Sequence, residues 1–380
     1  MELREYRFDE ISVNYDKKRV PLSGAQREKR KGNDRYYGAQ GIIDYIDDFI
    51  FDGTYLLIAE DGENLKSKKQ NIAQVVNGQF WVNNHAHIVT GNGLCDTHYL
   101  CYLINSMDLS GYITGSAQPK LSQANLNAVT LLLPQIDVQK KIVGYLGKID
   151  EKIEINKQIN ENLEQQAQAY FEELFVVNAD PNWPECTLSD IGSIVAGGTP
   201  SKSKSEYYAD QGIAWITPKD LSIDKSKFIS HGENDISELG FSKSSTKKMP
   251  AGTVLFSSRA PIGYIAIAQN ELTTNQGFKS VIPNENIGTS YVYFLLKNLL
   301  PTIEGMASGS TFKEISGAGM KSVPTVMPDV NIIQLFNNFC EPIFKEQEVL
   351  EAENRRLSAL RDSLLPKLMA GEIDISSLNI

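Results

Sequence analysis

The sequence predicts an α+β chain: two tandem α/β-type domains separated by two long antiparallel coiled-coil helices, with a pseudo-two-fold relation between the halves. Three observations carry this. The halves repeat the same landmarks in the same order, each half closes on a long heptad-spaced stretch, and the offset between partner residues becomes constant along that stretch. The predicted spans are residues 1–136 for the first domain, 137–176 for the central helix, 183–328 for the second domain and 329–371 for the closing helix.

Residues 7–11 open the first domain and are matched by residues 187–191 in the second. Residues 36–42 parallel 207–213, and Gly53-Thr54 before an apolar run parallels Gly252-Thr253 before residues 254–256. Gly115-Ser116 then matches Gly309-Ser310, and Pro134 closing residues 129–133 matches Pro328 closing residues 323–327. Partners lie 180, 171 and 199 positions apart in turn, and from Gly115 to the end of the following helix the offset stays at 194. Loops in the two domains have therefore gained and lost residues while the helical element has not. Residues 55–59, 254–257, 262–268 and 279–283 read as strands, and residues 99–105 and 291–300 as short helices. Gly197-Gly198-Thr199-Pro200 and Asn92-Gly93 are turn signals.

The helices show a four-three seam. Ile142, Leu146, Ile149, Ile153, Asn156, Asn160, Leu163, Ala167, Tyr170 and Leu174 form the first. Shifting by 194 gives Phe336, Cys340, Ile343, Gln347, Leu350, Asn354, Leu357, Arg361, Leu364 and Leu368. At about 1.5 Å per residue, about 36 residues span on the order of 50 Å. Pro134 and Pro328 sit just before the helices and Gly371 follows the second as a stop. Two helices packed separately in their own domains are the alternative, and the length and strict stepping favour packing on each other. An Asn on such a seam fixes register at some cost in stability.

Length and composition exclude several classes. At 380 residues and 41% apolar content the chain suits two globular domains with connecting elements. Its first residues do not read as a secretion signal, and no apolar run approaches a membrane span, so a cytoplasmic chain with no membrane partner is expected. Four scattered cysteines without a CxxC pair argue for reduced thiols. A net charge of −10 argues against a uniformly DNA-binding surface. The balance is local, however: Lys17, Lys18, Arg19, Arg27, Lys29, Arg30, Lys31 and Arg35 face only Asp16, Glu28 and Asp34 in the same stretch. A solvated loop is the other reading of that cluster.

Signatures of chemistry are missing. No phosphate-cradling GxxxxGK[ST], no Asn-Pro-Pro-aromatic run, no glycine-rich cofactor turn and no Gly-x-Ser-x-Gly occurs, so neither cofactor nor catalytic residue is assigned. His85, His87, Cys95, His98 and Cys101 make the only metal-like cluster; residues 274–278, their counterpart, hold neither His nor Cys. The shared fold thus requires no metal, and these side chains read as packing residues or polar groups.

Gly198-Thr199-Pro200, Tyr207-Tyr208, residues 213–221 with Trp215, and residues 273–278 resemble the second recognition domain of type I restriction–modification specificity subunits. Residues 36–44 and 51–62 resemble a first-domain version, and residues 360–373 are similar to the family's terminal helix. The first half lacks a counterpart of Trp183, so its lead-in is abbreviated. The resemblance implies two target recognition domains, each reading one half of a split double-stranded DNA site, in a non-catalytic subunit that places modification (methyltransferase) and restriction (nuclease and translocase) subunits. Two such domains on an antiparallel helix pair suit two stretches of major groove about one turn apart, with the helices as a ruler.

Base-edge and phosphate contacts are expected within residues 17–40 and 199–219. The candidates are Lys17, Arg19, Arg27, Arg30, Lys31, Arg35, Tyr37 and Gln40 in the first stretch and Thr199, Ser201, Lys202, Lys204, Tyr208 and Lys219 in the second, with Arg259 and Gln276 beyond it. Ser116 with Lys120, and Ser310 with Lys313, are candidates for phosphate contacts, an ordinary surface turn being the alternative. A protein-only interaction scaffold built on the helices is the competing function, supported by the acidic balance.

Overall fold

The computed structural model describes residues 2–67, 70–115, 118–309, 313–373 and 375. The chain divides into two compact units, one of Met1–Ile153 with Arg356–Ile380 and one of Glu154–Arg355. Each unit therefore owns a recognition-type domain and part of both long helices, which run Ile136–Glu172 and Val330–Met369.

The first unit is built on a six-stranded sheet in the order Ser12–Asn14, Ala86–Gly91, Phe51–Ala59, Ala73–Val82, Lys31–Gly38, Gly41–Ile46. All neighbours are antiparallel except Lys31–Gly38 with Ala73–Val82. The central strand ends in Leu56, Leu57, Ile58 and Ala59, all buried, because both faces are covered. One face packs on Tyr99, Leu100, Leu103 and Ile104 of the helix Thr97–Ser106; the other packs Leu57 with Tyr37, Phe51 and Phe80. Asp96 starts that helix by accepting from the amides of His98 at 2.9 Å and Tyr99 at 3.0 Å.

The second unit holds a five-stranded sheet in the order Gly192–Ala196, Lys279–Pro283, Val254–Ser258, Ile262–Ala268, Phe228–Ile229. A separate four-stranded sheet runs Tyr208–Ala209, Asn234–Ile236, Ile213–Ile216, Thr273–Thr274. The matched Tyr-Tyr landmarks therefore differ in pairing. Gly38 pairs directly with Gly41 in a hairpin, whereas Tyr208–Ala209 and Ile213–Ile216 each pair with Asn234–Ile236.

Other landmarks superpose closely in their bonding. Arg4–Arg7 pairs antiparallel with Thr130–Leu133, as Glu185–Thr187 pairs with Pro324–Val326, so the abbreviated lead-in still makes its strand. The Arg7 amide donates to Glu10 at 2.7 Å and the Thr187 amide to Asp190 at 2.8 Å, each starting a one-turn helix. Asn92 and Asn284 each donate from Nδ2 at 2.8 Å to the carbonyl ending that turn, on Glu10 and Asp190.

The seam is buried or half-buried at all ten positions of each long helix. In the first unit Ile142 and Leu146 share a core with Leu364, Leu368 and Met369, and Arg361 donates to Asp150 at 2.8 Å. In the second unit Ala167 and Phe171 pack against Phe336, Cys340 and Ile343. The order of these contacts makes the pair antiparallel within each unit. Gly371 at φ 74° ends the second helix, its amide donating to Leu368 at 3.2 Å. All four cysteines are free thiols, and burial pushes Cys95 and Cys340 up to about 12. No helix among the described residues is long and apolar enough to cross a membrane.

Candidate nucleic-acid interface

The clearest shared device is a pair of hairpin loops. Thr114 and Lys120 exchange backbone hydrogen bonds of 2.9 and 2.8 Å, and Ser308 and Glu314 exchange bonds of 3.1 and 2.9 Å. Leu121 then donates to the Glu60 carbonyl and Ile315 to the Ser258 carbonyl. Ser122 and Ser316 follow, each accepting from the amide three residues on to start a short helix. Thr114 and Ser308, Lys120 and Glu314, Leu121 and Ile315, and Ser122 and Ser316 are each 194 apart, while the acceptors Glu60 and Ser258 are 198 apart. Gly115 at φ 84° and Gly309 at φ 130° make the turn, and a Cβ on Gly115 would sit 2.2 Å from the Gln118 carbonyl. Ser116 and Ser310 lie outside the described residues.

The two lysines that follow these loops are not counterparts in this framework. Lys120 corresponds to Glu314, and Lys313 corresponds to Pro119. Charge is exchanged across the two loops: Lys120 lies 3.3 Å from Glu60, while Glu314 lies 3.3 Å from Arg259 and 3.5 Å from Lys279.

The basic stretch of the first unit is far less cationic in the fold than in the sequence. Arg27 donates to Asp44 at 2.9 Å and lies 5.3 Å from the Tyr36 ring; Lys31 reaches the same carboxylate at 2.8 Å. Arg30 lies 4.9 Å from the Trp81 ring and bonds Asp47 at 2.8 Å and Asp48 at 3.2 Å. The Lys31 ammonium, the Tyr45 amide and Arg27 hold the Asp44 carboxyl down at about 2. Arg35 has no carboxylate partner among the described residues and donates to the Tyr37 hydroxyl at 3.2 Å and to backbone carbonyls of Asn77 and Gln79. Lys17 is exposed and makes no ion pair among the described residues.

Two candidates are turned inward. Tyr37 is 5% exposed, its ring edge-on to Phe80, so it belongs to the core; the two-residue strand period puts it on the covered face. Arg19 is held by Glu60 at 2.7 Å, the Ala86 carbonyl at 2.9 Å and Asp16 at 3.4 Å. Beside it His87 is fully buried, with Nδ1 2.6 Å from Asp16 and Nε2 2.8 Å from the Leu121 carbonyl. Both ring nitrogens are therefore committed, and no group of three metal-ligating side chains occurs among the described residues. Gln40 is exposed at the rim of a cleft of about 1090 Å³ that also takes in Tyr102, Asp150 and Arg361.

In the second unit the sequence motifs converge on one backbone crossing. The Gly198 amide donates to Thr274 at 2.9 Å, and Trp215 Nε1 donates to the Gly198 carbonyl at 3.0 Å. A Cβ on Gly197 would lie 2.0 Å from the Asn275 carbonyl, and one on Gly198 would lie 2.5 Å from the Thr246 amide. Close packing, not a turn dihedral, is what demands glycine there. The crossing presents Ser201, Lys202 and Lys204 as an exposed loop, with Lys204 5.2 Å from the Tyr207 ring. Thr199 is half-buried, and the half-buried Tyr208 donates from its hydroxyl to Pro200 at 2.9 Å. Lys219 is ion-paired with Glu233, and Gln276 is exposed beside the crossing. Sequence reasoning missed Asp44, Asp47, Asp48 and Glu233, which partner these cations from other strands and turns.

The sequence pattern of the type I restriction modification DNA specificity domain matches residues 4–165 and 181–347. Over 190 residues the chain is 37% identical to the type I restriction enzyme MjaIX specificity subunit of Methanocaldococcus jannaschii, covering 48% of this chain and 44% of that relative. It is 25% identical over 404 residues to the HindI specificity subunit of Haemophilus influenzae, covering 84% of both chains. In fold it is similar to a crystal structure of the type I restriction–modification S subunit from M. genitalium, with a TM-score of 0.61, 16% identity and coverage of 97% of this chain and 96% of that one. A DNA specificity component reads a target and is not itself the enzyme. The repeated domains, the seam of the long helices and the matching pattern lead to one assignment: the chain belongs to the type I restriction–modification DNA specificity family.

Proposed function

We propose that the chain reads a bipartite double-stranded DNA site, one half-site per recognition domain, with residues 1–136 and 183–328 as the reading domains and 137–176 with 329–371 as the helices that carry them. The observation that supports this most directly is the hydrogen-bonded framework repeated at an offset of 194, which holds two loops of different charge on the same scaffold. A shared frame with unlike loops suits two unlike half-sites. Lys17, Arg27, Arg30, Lys31, Arg35 and Lys120 are the cations we assign to the first half-site, and Lys202, Lys204, Lys219 and Arg259 to the second; Gln40, Thr199, Ser201 and Gln276 supply polar contacts. Modification and restriction subunits are recruited through the outward faces of the long helices, since their seam residues are occupied.

Enrichment of bound duplexes from a randomised library by the full chain with its modification subunits tests the reading. Two short conserved blocks separated by an unread spacer are expected, and a single uninterrupted block would overturn the two-domain assignment. The ion-paired state of Arg27, Arg30 and Lys31 favours a second reading, a scaffold that binds only proteins. Retardation of random-sequence duplex at low salt separates the two, because a protein-only scaffold leaves duplex unshifted.

A further inference from the structure

Six of the ten cations assigned to DNA are engaged by carboxylates that come from elsewhere in the fold. Arg27 and Lys31 share Asp44, Arg30 holds Asp47 and Asp48, Lys120 holds Glu60, Lys219 holds Glu233 and Arg259 holds Glu314. Core stability does not explain Asp47 and Asp48. Asp47 and Asp48 are half-exposed, with side chains 50% and 55% accessible, and exposed ion pairs contribute little to folding. Both guanidiniums already rest on aromatic faces, Arg27 on Tyr36 and Arg30 on Trp81, which set their position without any help from the carboxylates. The carboxylates occupy the donor edges that a phosphate would take, with the same charge-assisted geometry.

We propose that Asp44, Asp47 and Asp48 act as built-in competitors for DNA phosphates, lowering affinity for DNA of any sequence so that the complex persists only where base contacts add to it. The inference rests on the assignment of Arg27, Arg30 and Lys31 to the DNA-facing surface. An ion-paired arginine must give up a carboxylate before it takes a phosphate, so each such contact adds less affinity than a free cation would. The loss is the same on every sequence. Base-edge contacts are untouched, so competition lowers non-specific and specific binding together and leaves the specific complex dependent on correct bases.

The experiment compares the full chain with Asp47→Asn/Asp48→Asn, and with the triple variant that adds Asp44→Asn, using a fluorescent duplex of random sequence titrated across salt concentration. The double variant guards against misfolding, since its two sites are half-exposed while Asp44 is largely buried. Tighter binding by roughly threefold to tenfold at low salt is expected, with the salt slope steeper by about one unit per cation released. Arg30→Gln in the double-variant background is expected to remove the gain. A gain that survives Arg30→Gln overturns the proposal, because it then comes from overall charge. If the aspartate variants bind as the parent does while Arg27→Gln/Arg30→Gln/Lys31→Gln binds more weakly, the competition fails and the DNA-facing assignment stands. If neither set alters binding, both fall.

Discussion

Asn156 donates from Nδ2 to the Oδ1 of Asn354 at 2.9 Å, a polar rung on the seam between two antiparallel helices. Asn156 is fully buried and donates also to Glu353 at 2.7 Å. Apolar seam positions tolerate sliding by a heptad, because one buried aliphatic layer resembles the next. A buried amide pair does not, since any slip leaves donors and acceptors facing hydrocarbon.

Asn156→Ala should therefore destabilise the second unit by about 1–3 kcal/mol, the cost of losing both hydrogen bonds at a fully buried seam position. Asn156→Leu with Asn354→Leu should be neutral or stabilising, because both halves of the layer become apolar together. Urea unfolding of the three proteins checks this. A double-leucine variant less stable than Asn156→Ala would mean the rung stabilises the helices rather than fixing their register.

Acid should weaken the first unit through Asp16. Burial pushes this carboxyl up, but the bonds from His87 and the Ile88 amide, with the Arg19 charge, more than offset it and hold the group below its ordinary value. Glu60 is lowered in the same way by Arg19, His87 and Lys120 against its own burial. An acid whose folded value lies below its unfolded one stabilises fully above the ordinary range and loses that contribution as pH falls through the folded value. The loss is thus expected below about pH 4, where free carboxyls begin to titrate. Asp16→Asn should lower stability at neutral pH and flatten the fall below about pH 4. Parallel stability curves for the two proteins would remove Asp16 from this account.

Gly197→Ala should disrupt the crossing that presents the Ser201–Lys204 loop. Its Cβ would meet the carbonyls of Asn275 at 2.0 Å and Thr274 at 2.5 Å, both backbone atoms that cannot swing away. Overpacking of this kind costs about 1–3 kcal/mol. Trp215→Phe, which removes the bond to Gly198 and trims a buried ring, should cost at least about 1 kcal/mol. Thermal unfolding ranks the two, and a tolerated Gly197→Ala would show that the loop can move off Asn275.

Much of this architecture is written in local patterns. Steps of four and three fix which faces of the long helices meet, and the run ending at Ala59 can only be a strand covered on both faces. The 194 offset matched Gly115 with Gly309 and Pro134 with Pro328, whereas the frames Thr114–Lys120 and Ser308–Glu314 that enclose those glycines are visible only in the fold. The interface was less legible. Arg27 finds Asp44, and Arg30 finds Asp47, only because Gly41–Ile46 folds back along Lys31–Gly38 in a register that contains two irregularities. Tyr37 resembled a surface tyrosine because the strand face it takes depends on that same register. The Tyr-Tyr landmark of the second unit shares sequence with the first but pairs through Asn234–Ile236, a strand too short and polar to stand out.

Exchange of one reading domain should alter one half-site and spare the other. Residues 7–134 begin at the Arg7–Glu10 cap and end at the proline before the long helix, and the strand Arg4–Arg7 that leads into them pairs only with Thr130–Leu133. A relative's segment cut at the same landmarks keeps the strand bonds, which run between backbones and are indifferent to side chain, and needs a carboxylate equivalent to Glu10 for the cap. Ile142 and Leu146 lie beyond the exchanged segment and share the first unit's core with Leu368 and Met369, so the incoming domain must pack on them. The expected product, selected against a randomised duplex library with its modification subunits, shows one new block of bases and one unchanged block. Change in both blocks would mean that base readout is not partitioned between the domains, and the bipartite reading would have to be abandoned.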